Sequence, residues 1–535
     1  MLVLLTFLKK GVAAGTLVTL VLLVTLNFSG QATSGVLFKS SIESMAERCQ
    51  SIATLMPDDV DITSAMYVEA VKELPIGADD RPLGSSATDS FTPYCSVRGY
   101  FEKRVGADKK PYAIGFGLAL PDNWNGRFLF QGGGALNGLI REPLGALAAG
   151  DQPALFRGFA VVSTDSGHQS DSVFNTDFFS DQQALLNFYS QAVAKVTQLT
   201  RKVVAQFYGQ QPGHSYFVGC STGGREAMTM SQRYPQLFDG IIAGAPARRT
   251  NYSEVADLWA AKRLRAIMSE GQSAPFSQAQ QQLIVDTLLQ QCDANDGLRD
   301  DMIFAPEGCG FNPSILQCMD SETGDSCLSA EQVSALTEAF NGPRLANGDN
   351  VYPGFFFDTG ISANKGIPGL LQGVAGPLGR ARMSQPFDLV REIELAENFP
   401  LAPGNANLTQ LSSFAARGSK LMFFHGLSDP WFSAKDTLSY YQSLVQGDDL
   451  DGLRDWSRLY LVPGMGHCGG GEQTLDKFDM LSALVQWVEE GRVPASVEAS
   501  GESFPGRTRP LCAYPQFAYY SGSGNPQSAS SFKCR

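Results

Sequence analysis

The sequence predicts an α/β fold on a mostly parallel sheet. Near-continuous apolar segments alternate with helical runs over residues 35–250, the pattern of strands buried on both faces by the helices that connect them. The alternation breaks after about Arg248 and resumes after Arg417, so the middle of the chain reads as an insertion. A third feature, "YFVGCSTGGREAM" at 216–228, reads as a strand that turns sharply into a helix.

Taken in order, the N-terminus carries Lys9 and Lys10, the uncharged apolar run "GVAAGTLVTLVLLVTLNF", and then small and polar residues. Residues 1–33 therefore read as a secretory signal. The run is about 18 residues, near the length an uncleaved membrane anchor needs, and an anchor is the alternative reading. Either way the protein is expected to be secreted or periplasmic. The strands follow at 112–121, 127–134, 158–167, 214–220 and 240–246, with a long helix expected from Asp181 to Tyr208. Residues 248–417 are rich in Gly and Pro and show no clear alternation; an insertion at this point commonly forms a lid where ligands enter. The first pattern returns at 419–426, 458–464 and the amphipathic 476–491. The catalytic fold is thus expected over 34–247 and 418–535, with the lid domain at 248–417.

Composition narrows the function. Of 535 residues, 43% are hydrophobic and 18% charged, as in ordinary globular proteins. A formal charge of −13 would repel nucleic acid and anionic membranes over most of the surface. A small neutral or weakly charged substrate fits better, and no protein partner is evident. Ten cysteines behind a secretory signal suit five disulfides, whose pairing their number leaves open.

The stretch around Ser221 has the G-x-S-x-G spacing of a nucleophile elbow, where Gly219 and Gly223 leave room for the turn. A serine needs a base to take its proton. Of the four histidines, His214 starts the elbow strand, and His168 and His425 precede the expected place in the order Ser, Asp/Glu, His. His467 in "VPGMGHCGG" remains, with Asp429 in "FFHGLSDPWF" as the intervening acid. Cys220 precedes Ser221 and Cys468 follows His467. A bond between these cysteines would hold the two backbones within about 14 Å, which explains a thiol beside a reactive serine. The oxyanion donors expected are the N–H of Thr222 and that of Gly132 or Gly133 in "QGGG". Trp431 and Phe432 are candidates to pack on an aromatic substrate ring, or else core residues.

"GCSTGG", "SDPWF" and "PGMGHC" together resemble the tannase and feruloyl esterase family of α/β-hydrolases. The resemblance runs from about Cys49 to Cys534 and includes "PDNWNGRFLFQGGG", "RYPQLFDGIIAGAP" and "RTRPLCAYPQ". It implies an α/β-hydrolase fold with a large inserted lid, and a serine carboxylesterase that cleaves aromatic-acid esters through an acyl-enzyme. It implies the disulfides Cys49–Cys95, Cys220–Cys468, Cys292–Cys309, Cys318–Cys327 and Cys512–Cys534. The segment "CDANDGLRDDMIFAPEGC" gathers Asp293, Asp296, Asp300 and Asp301. Its spacing is not that of an EF-hand, whose sixth-position glycine would fall on Leu298, and alone it reads as a solvated acidic loop. The resemblance implies instead a structural calcium on Asp293, Asp296 and Asp300, with backbone oxygens near Leu298 and Met302. No histidine lies there, as a hydrolytic metal centre would usually require.

The terephthalate-cleaving branch of the family binds its substrate's carboxylate with an arginine in a serine- and phenylalanine-containing lid motif, and that motif is not found here. Arg380 and Arg382 read as substitutes for it or as surface arginines. Two rival readings stand beside the esterase: a peptidase or lactonase on the same fold, since a triad does not name its leaving group, and a non-catalytic calcium-stabilised binding protein.

Overall fold

The computed structural model describes residues 44–69, 91–319, 324–445 and 450–535. The segment read as a signal or anchor lies outside these residues. Among the described residues no helix is long and apolar enough to cross a membrane.

The main sheet has nine strands: β1 (Asp61–Val68), β2 (Tyr94–Val105), β3 (Pro111–Pro121), β4 (Arg127–Gln131), β5 (Ala160–Thr164), β6 (His214–Cys220), β7 (Gly240–Gly244), β8 (Lys420–Gly426) and β9 (Ser457–Val462). Their spatial order is β1-β2-β3-β5-β4-β6-β7-β8-β9. From β5 to β9 every neighbouring pair is parallel. The β1–β2, β2–β3 and β3–β5 pairs are antiparallel, so the sheet is more mixed than the apolar pattern suggested. The reason lies in connection length: β2 and β3 are joined by a tight turn closed by Gly106 N–H to Lys110 O, 2.8 Å, and only antiparallel strands can be joined so briefly. β1 and β2 alternate in burial instead of being apolar throughout, which is why they escaped a search for continuous apolar runs.

The helices that position the site are α1 (Ala192–Tyr208), α2 (Thr222–Arg233), α3 (Thr250–Arg265), α4 (Gln278–Cys292), α5 (Ala330–Asn341), α6 (Leu389–Glu397) and α7 (Met480–Glu490). Successive side chains of a strand point to opposite faces, and the core obeys this. Phe128, Phe130, Phe217, Ile241 and Phe423 join one apolar layer, with Val196, Val203 and Phe207 of α1. Leu129, Tyr216, Val218, Ile242 and Met422 join the other, with Leu481, Leu484 and Trp487 of α7. The helix expected from Asp181 is interrupted. Asp181 caps a short turn through Ala184 N–H, 2.8 Å, and a π-helical turn at Asn187–Gln191 precedes α1. That turn offers the carbonyls of Phe188 and Tyr189 to Arg225 of α2, at 3.1 and 3.0 Å.

Between β7 and β8 the described chain forms helices and short turns with no sheet strand. The segment has its own apolar cluster, with Leu264, Ile284, Leu288, Leu336 and Phe340 among its members. Ser277 and Ser329 cap α4 and α5 in matching capping boxes with Gln280 and Gln332, and the two glutamine amides bond each other at 3.1 and 3.2 Å. The insertion is nevertheless part of one compact unit, residues 44–535. All five disulfides form with the pairing that the resemblance implied.

One buried residue fastens the insertion to the strand ends. Asp358, fully buried, accepts on one oxygen the hydroxyl of Ser428, 2.7 Å, and the N–H of Gly464, 2.7 Å. Those partners lie on the loops after β8 and β9. Asp358→Ala should leave both donors unpaired and cost about 1–3 kcal/mol, read as a lower denaturation midpoint with an unchanged slope.

Candidate active site

Ser221 occupies the turn between β6 and α2 with φ 60° and ψ −123°, a strained conformation for a residue with a side chain. The turn closes on bare backbone. A Cβ on Gly219 would come 2.5 Å from Gly223 O, and one on Gly223 would come 2.7 Å from Gly133 O. Small residues at both positions are therefore a packing requirement, as the motif implied. The Ser221 N–H donates to Gly244 O at 3.0 Å, tying the turn to β7.

Asp429 lies just beyond β8 and His467 beyond β9, both buried. His467 Nδ1 is 2.7 Å from Asp429 Oδ2, so the tautomer that bonds the carboxylate leaves Nε2 as the acceptor. Asp429 Oδ1 accepts the N–H groups of Trp431 and Phe432 at 2.9 and 3.0 Å. Burial alone would raise the Asp429 carboxyl, but His467 and His425 override it and hold the group well below the usual carboxylate range. His425, which chain order excludes as the base, is a second partner of this carboxylate. It is fully buried, with Nε2 3.2 Å from Asp429 Oδ2 and 2.8 Å from Phe432 O, and Nδ1 2.9 Å from Thr437 Oγ1. Both Nε2 neighbours are acceptors, so Nε2 carries the proton. The spacing in "HGLSD" was the available signal.

The Cys220–Cys468 bond joins the residue before Ser221 to the residue after His467, with Cα atoms 5.9 Å apart. Ser221 and His467 face one cavity of about 580 Å³, whose wall also includes Trp431, Phe432, Phe188 and Leu378. The two side chains stand on the wall of this cavity without a hydrogen bond between them; His467 Nε2 is 3.6 Å from Cys468 Sγ. Trp431 and Phe432 do line the cavity, and their rings pack on the His467 ring at centroid distances of 5.1 and 5.3 Å.

Two of the three expected oxyanion donors are already engaged. The Gly132 N–H donates to Val218 O at 2.8 Å, extending the sheet, and the Gly133 N–H donates to Glu226 Oε2 at 2.9 Å. The sequence could not show that β4 pairs this far, nor that α2 returns a carboxylate under the loop. Thr222 opens α2, where backbone N–H groups lack helical acceptors, and its hydroxyl bonds Ala135 O. Gly134 lines the cavity, and a Cβ there would meet nothing within 4 Å.

The arginines considered for a substrate carboxylate do not line this cavity. Arg382 lies between two acids of the insertion, 3.7 Å from Glu254 and 3.2 Å from Glu392. Arg380 opens an exposed short turn.

In the acidic loop, Asp293, Asp296 and Asp300 are buried. Asp293 accepts the N–H groups of Asp300 and Asp301 at 3.1 and 2.9 Å, and Asp296 that of Leu298 at 3.2 Å. Asp300 Oδ2 pairs with Arg509, whereas its Oδ1 is buried without a partner. Burial raises the Asp293 carboxyl and pushes that of Asp296 up to about 7. Three buried carboxylates with an orphaned oxygen and all-oxygen chemistry fit a hard cation. Among the described residues no three acidic, His or Cys side chains converge as a metal cluster, so main-chain oxygens such as those of Leu298 and Met302 would have to complete the shell.

The profile of the family described as tannase and feruloyl esterase matches residues 95–379 and 396–535. The chain is 35% identical to mono(2-hydroxyethyl) terephthalate hydrolase of Piscinibacter sakaiensis, over 87% of this chain and 88% of that protein. It is 27% identical to the probable feruloyl esterase B-2 of Aspergillus terreus, over 91% and 95% of the two chains. Among solved structures, feruloyl esterase B from Aspergillus oryzae superposes with a TM-score of 0.74 at 25% identity, covering 92% of this chain and 100% of that one. Tannin acyl hydrolase from Aspergillus niger shares the fold, with a TM-score of 0.70 at 22% identity over 92% of this chain and 96% of that one. The nine-stranded sheet, the disulfide pairing and this match over most of the chain lead to one conclusion: the chain belongs to the tannase and feruloyl esterase family.

Proposed function

We propose that this protein is a secreted serine carboxylesterase that hydrolyses esters of aromatic acids, of phenolic or terephthalic type, through an acyl-enzyme. The observation that carries the reading is the Asp429–His467 pair, linked by Cys220–Cys468 to the strained turn of Ser221 on the wall of an aromatic-lined cavity. Five disulfides support passage through an oxidising compartment. The terephthalate hydrolase and feruloyl esterases among the relatives support the substrate class.

In this reading Ser221 Oγ attacks the ester carbonyl while His467 Nε2 takes its proton. Asp429, kept ionised by its buried donors, orients the imidazole through Nδ1–H and stabilises its charged form. The N–H of Thr222 meets the oxyanion, with Gly134 in the place that Gly132 and Gly133 cannot fill. His467 returns the proton to the leaving alcohol, then activates water to release the acid. Calcium bound at Asp293, Asp296 and Asp300 would brace the insertion against Arg509 and take no part in these steps.

Ser221→Ala should abolish hydrolysis of methyl gallate, methyl ferulate, mono(2-hydroxyethyl) terephthalate and p-nitrophenyl acetate while leaving the melting temperature within a few degrees of wild type. Hydrolysis that survives the substitution would rule out the nucleophile, and amine release from peptides instead of ester cleavage would favour a peptidase. Mild reduction should lower kcat before the fold melts, because the Cys220–Cys468 link positions two loops that the sheet alone does not join; simultaneous loss of activity and structure would refute that role. Exhaustive chelation should lower the melting temperature by several degrees, restored by added calcium. An unchanged melting curve, with no calcium found by elemental analysis, would refute the metal.

A further inference from the structure

One turn after Thr222, on the same face of helix α2, Glu226 returns a carboxylate to the glycine loop that follows β4. It is 1% exposed and does not line the cavity, so it meets no substrate. Three donors hold it. The Gly133 N–H donates to Oε2 at 2.9 Å, while the Asn137 amide and the Ser166 hydroxyl donate to Oε1 at 2.9 and 3.0 Å. Asn137 Oδ1 is left buried with no partner, so this amide is committed to donating although its own acceptor goes unused.

The loop does not keep its shape by local preference. Ala135 and Asn137 each have a φ of 51°, a left-handed conformation that residues with side chains hold only when their surroundings over-determine it. Helix α2 supplies those surroundings. Besides the Glu226 contacts, the Gly223 N–H donates to Gly133 O at 3.0 Å and the Thr222 hydroxyl donates to Ala135 O. The Asn137 N–H closes the loop on Gly134 O at 2.9 Å. Gly134, on the cavity wall, is thus tied to α2 through the residue before it and the residue after it. The Thr222 N–H opens the same helix. Both oxyanion donors are therefore referred to one rigid element that begins at the nucleophile.

Charge points the same way. A carboxylate bonded to the residue before Gly134 opposes, through space, the negative charge that develops at the reacting carbonyl. Its benefit is geometric, because an oxyanion donor is effective only when it is held ready in place. Resting on the esterase reading, we propose that Glu226 is a positioning residue for the oxyanion hole: it takes up the Gly133 N–H and anchors Asn137, so that the loop presents the Gly134 N–H to the cavity.

The test measures kcat and KM for p-nitrophenyl acetate, and affinity for 2,2,2-trifluoroacetophenone, in wild type, Glu226→Ala, Glu226→Gln and Asn137→Gly, with Ser221→Ala as the blank. Ser221 Oγ adds to the ketone carbon, its proton passes to His467 Nε2, and the carbonyl oxygen becomes the oxyanion, so this inhibitor reports on the hole. Glu226→Ala should lower kcat by about tenfold or more with KM little changed, and weaken the ketone by a similar factor. Glu226→Gln should recover most of that loss, since one oxygen still takes the Gly133 N–H and the Asn137 amide can turn its free Oδ1 toward the side-chain amide. Asn137→Gly, which suits the positive φ, should lower kcat and ketone affinity together by a smaller factor. A folded Glu226→Ala enzyme as fast as wild type, or faster as loss of the charge alone would make it, would overturn this inference. Loss of kcat without loss of ketone affinity, or no recovery in folded Glu226→Gln, would do the same. Where Glu226→Ala does not fold, wild-type kcat and ketone affinity in Asn137→Gly would overturn it. Absence of Ser221-dependent acetate hydrolysis in wild type would overturn the esterase reading and the inference with it.

Discussion

The carboxylate of Asp429 is fully buried, and a charge in that position is tolerable only when donors surround it. Four groups do so: the N–H groups of Trp431 and Phe432 on one oxygen, His467 and His425 on the other. Each donor constrains a different part of the molecule. The two amides fix the turn after β8 and, with it, the rings that wall the cavity. His425 fixes the end of β8 itself and is fixed in turn by Thr437 and the Phe432 carbonyl. His467 draws in the loop after β9, which the disulfide then fastens to the elbow of Ser221.

The insertion joins this arrangement by a second buried acid. Asp358 binds Ser428, beside Asp429, and Gly464, three residues before His467, so one carboxylate spans the loops that carry Asp429 and His467 and ties both to the insertion. Arg248 and Arg249, where the insertion starts, share Asp436 after β8. The segment is thus held at its entry and at the cavity by desolvated polar contacts. Such contacts are worth less than apolar packing in net stability but tolerate little misalignment.

Much of this was legible in the chain. Ser221, Asp429 and His467 could be chosen because the elbow needs small neighbours, only four histidines were available, and the two flanking cysteines made a testable coincidence. The strands β3 to β9 were legible because burial on both faces writes a continuous apolar run. β1, at the sheet edge, and β2 beside it were not, since a strand whose burial alternates resembles many loops that do the same. The place of His425 was not legible, because chain order is a rule about bases and says nothing about a second histidine serving the acid. Which glycine amides are engaged was not legible, because hydrogen-bond partners of a loop come from elements far away in sequence, here Val218 and Glu226.

By itself the sequence determined the strand-turn-helix at Ser221, the choice of Asp429 and His467 as candidate partners, the even cysteine set and the place of the insertion. These follow from local sterics, from burial periodicity and from the scarcity of chemically competent residues. The tertiary structure alone decided which backbone donors stay free, that two histidines share one aspartate, and that Arg382 stands between Glu254 and Glu392 and off the cavity wall. Each of those depends on what lies across a gap of a few ångströms between segments a hundred or more residues apart, and neither propensity nor spacing along the chain encodes that distance.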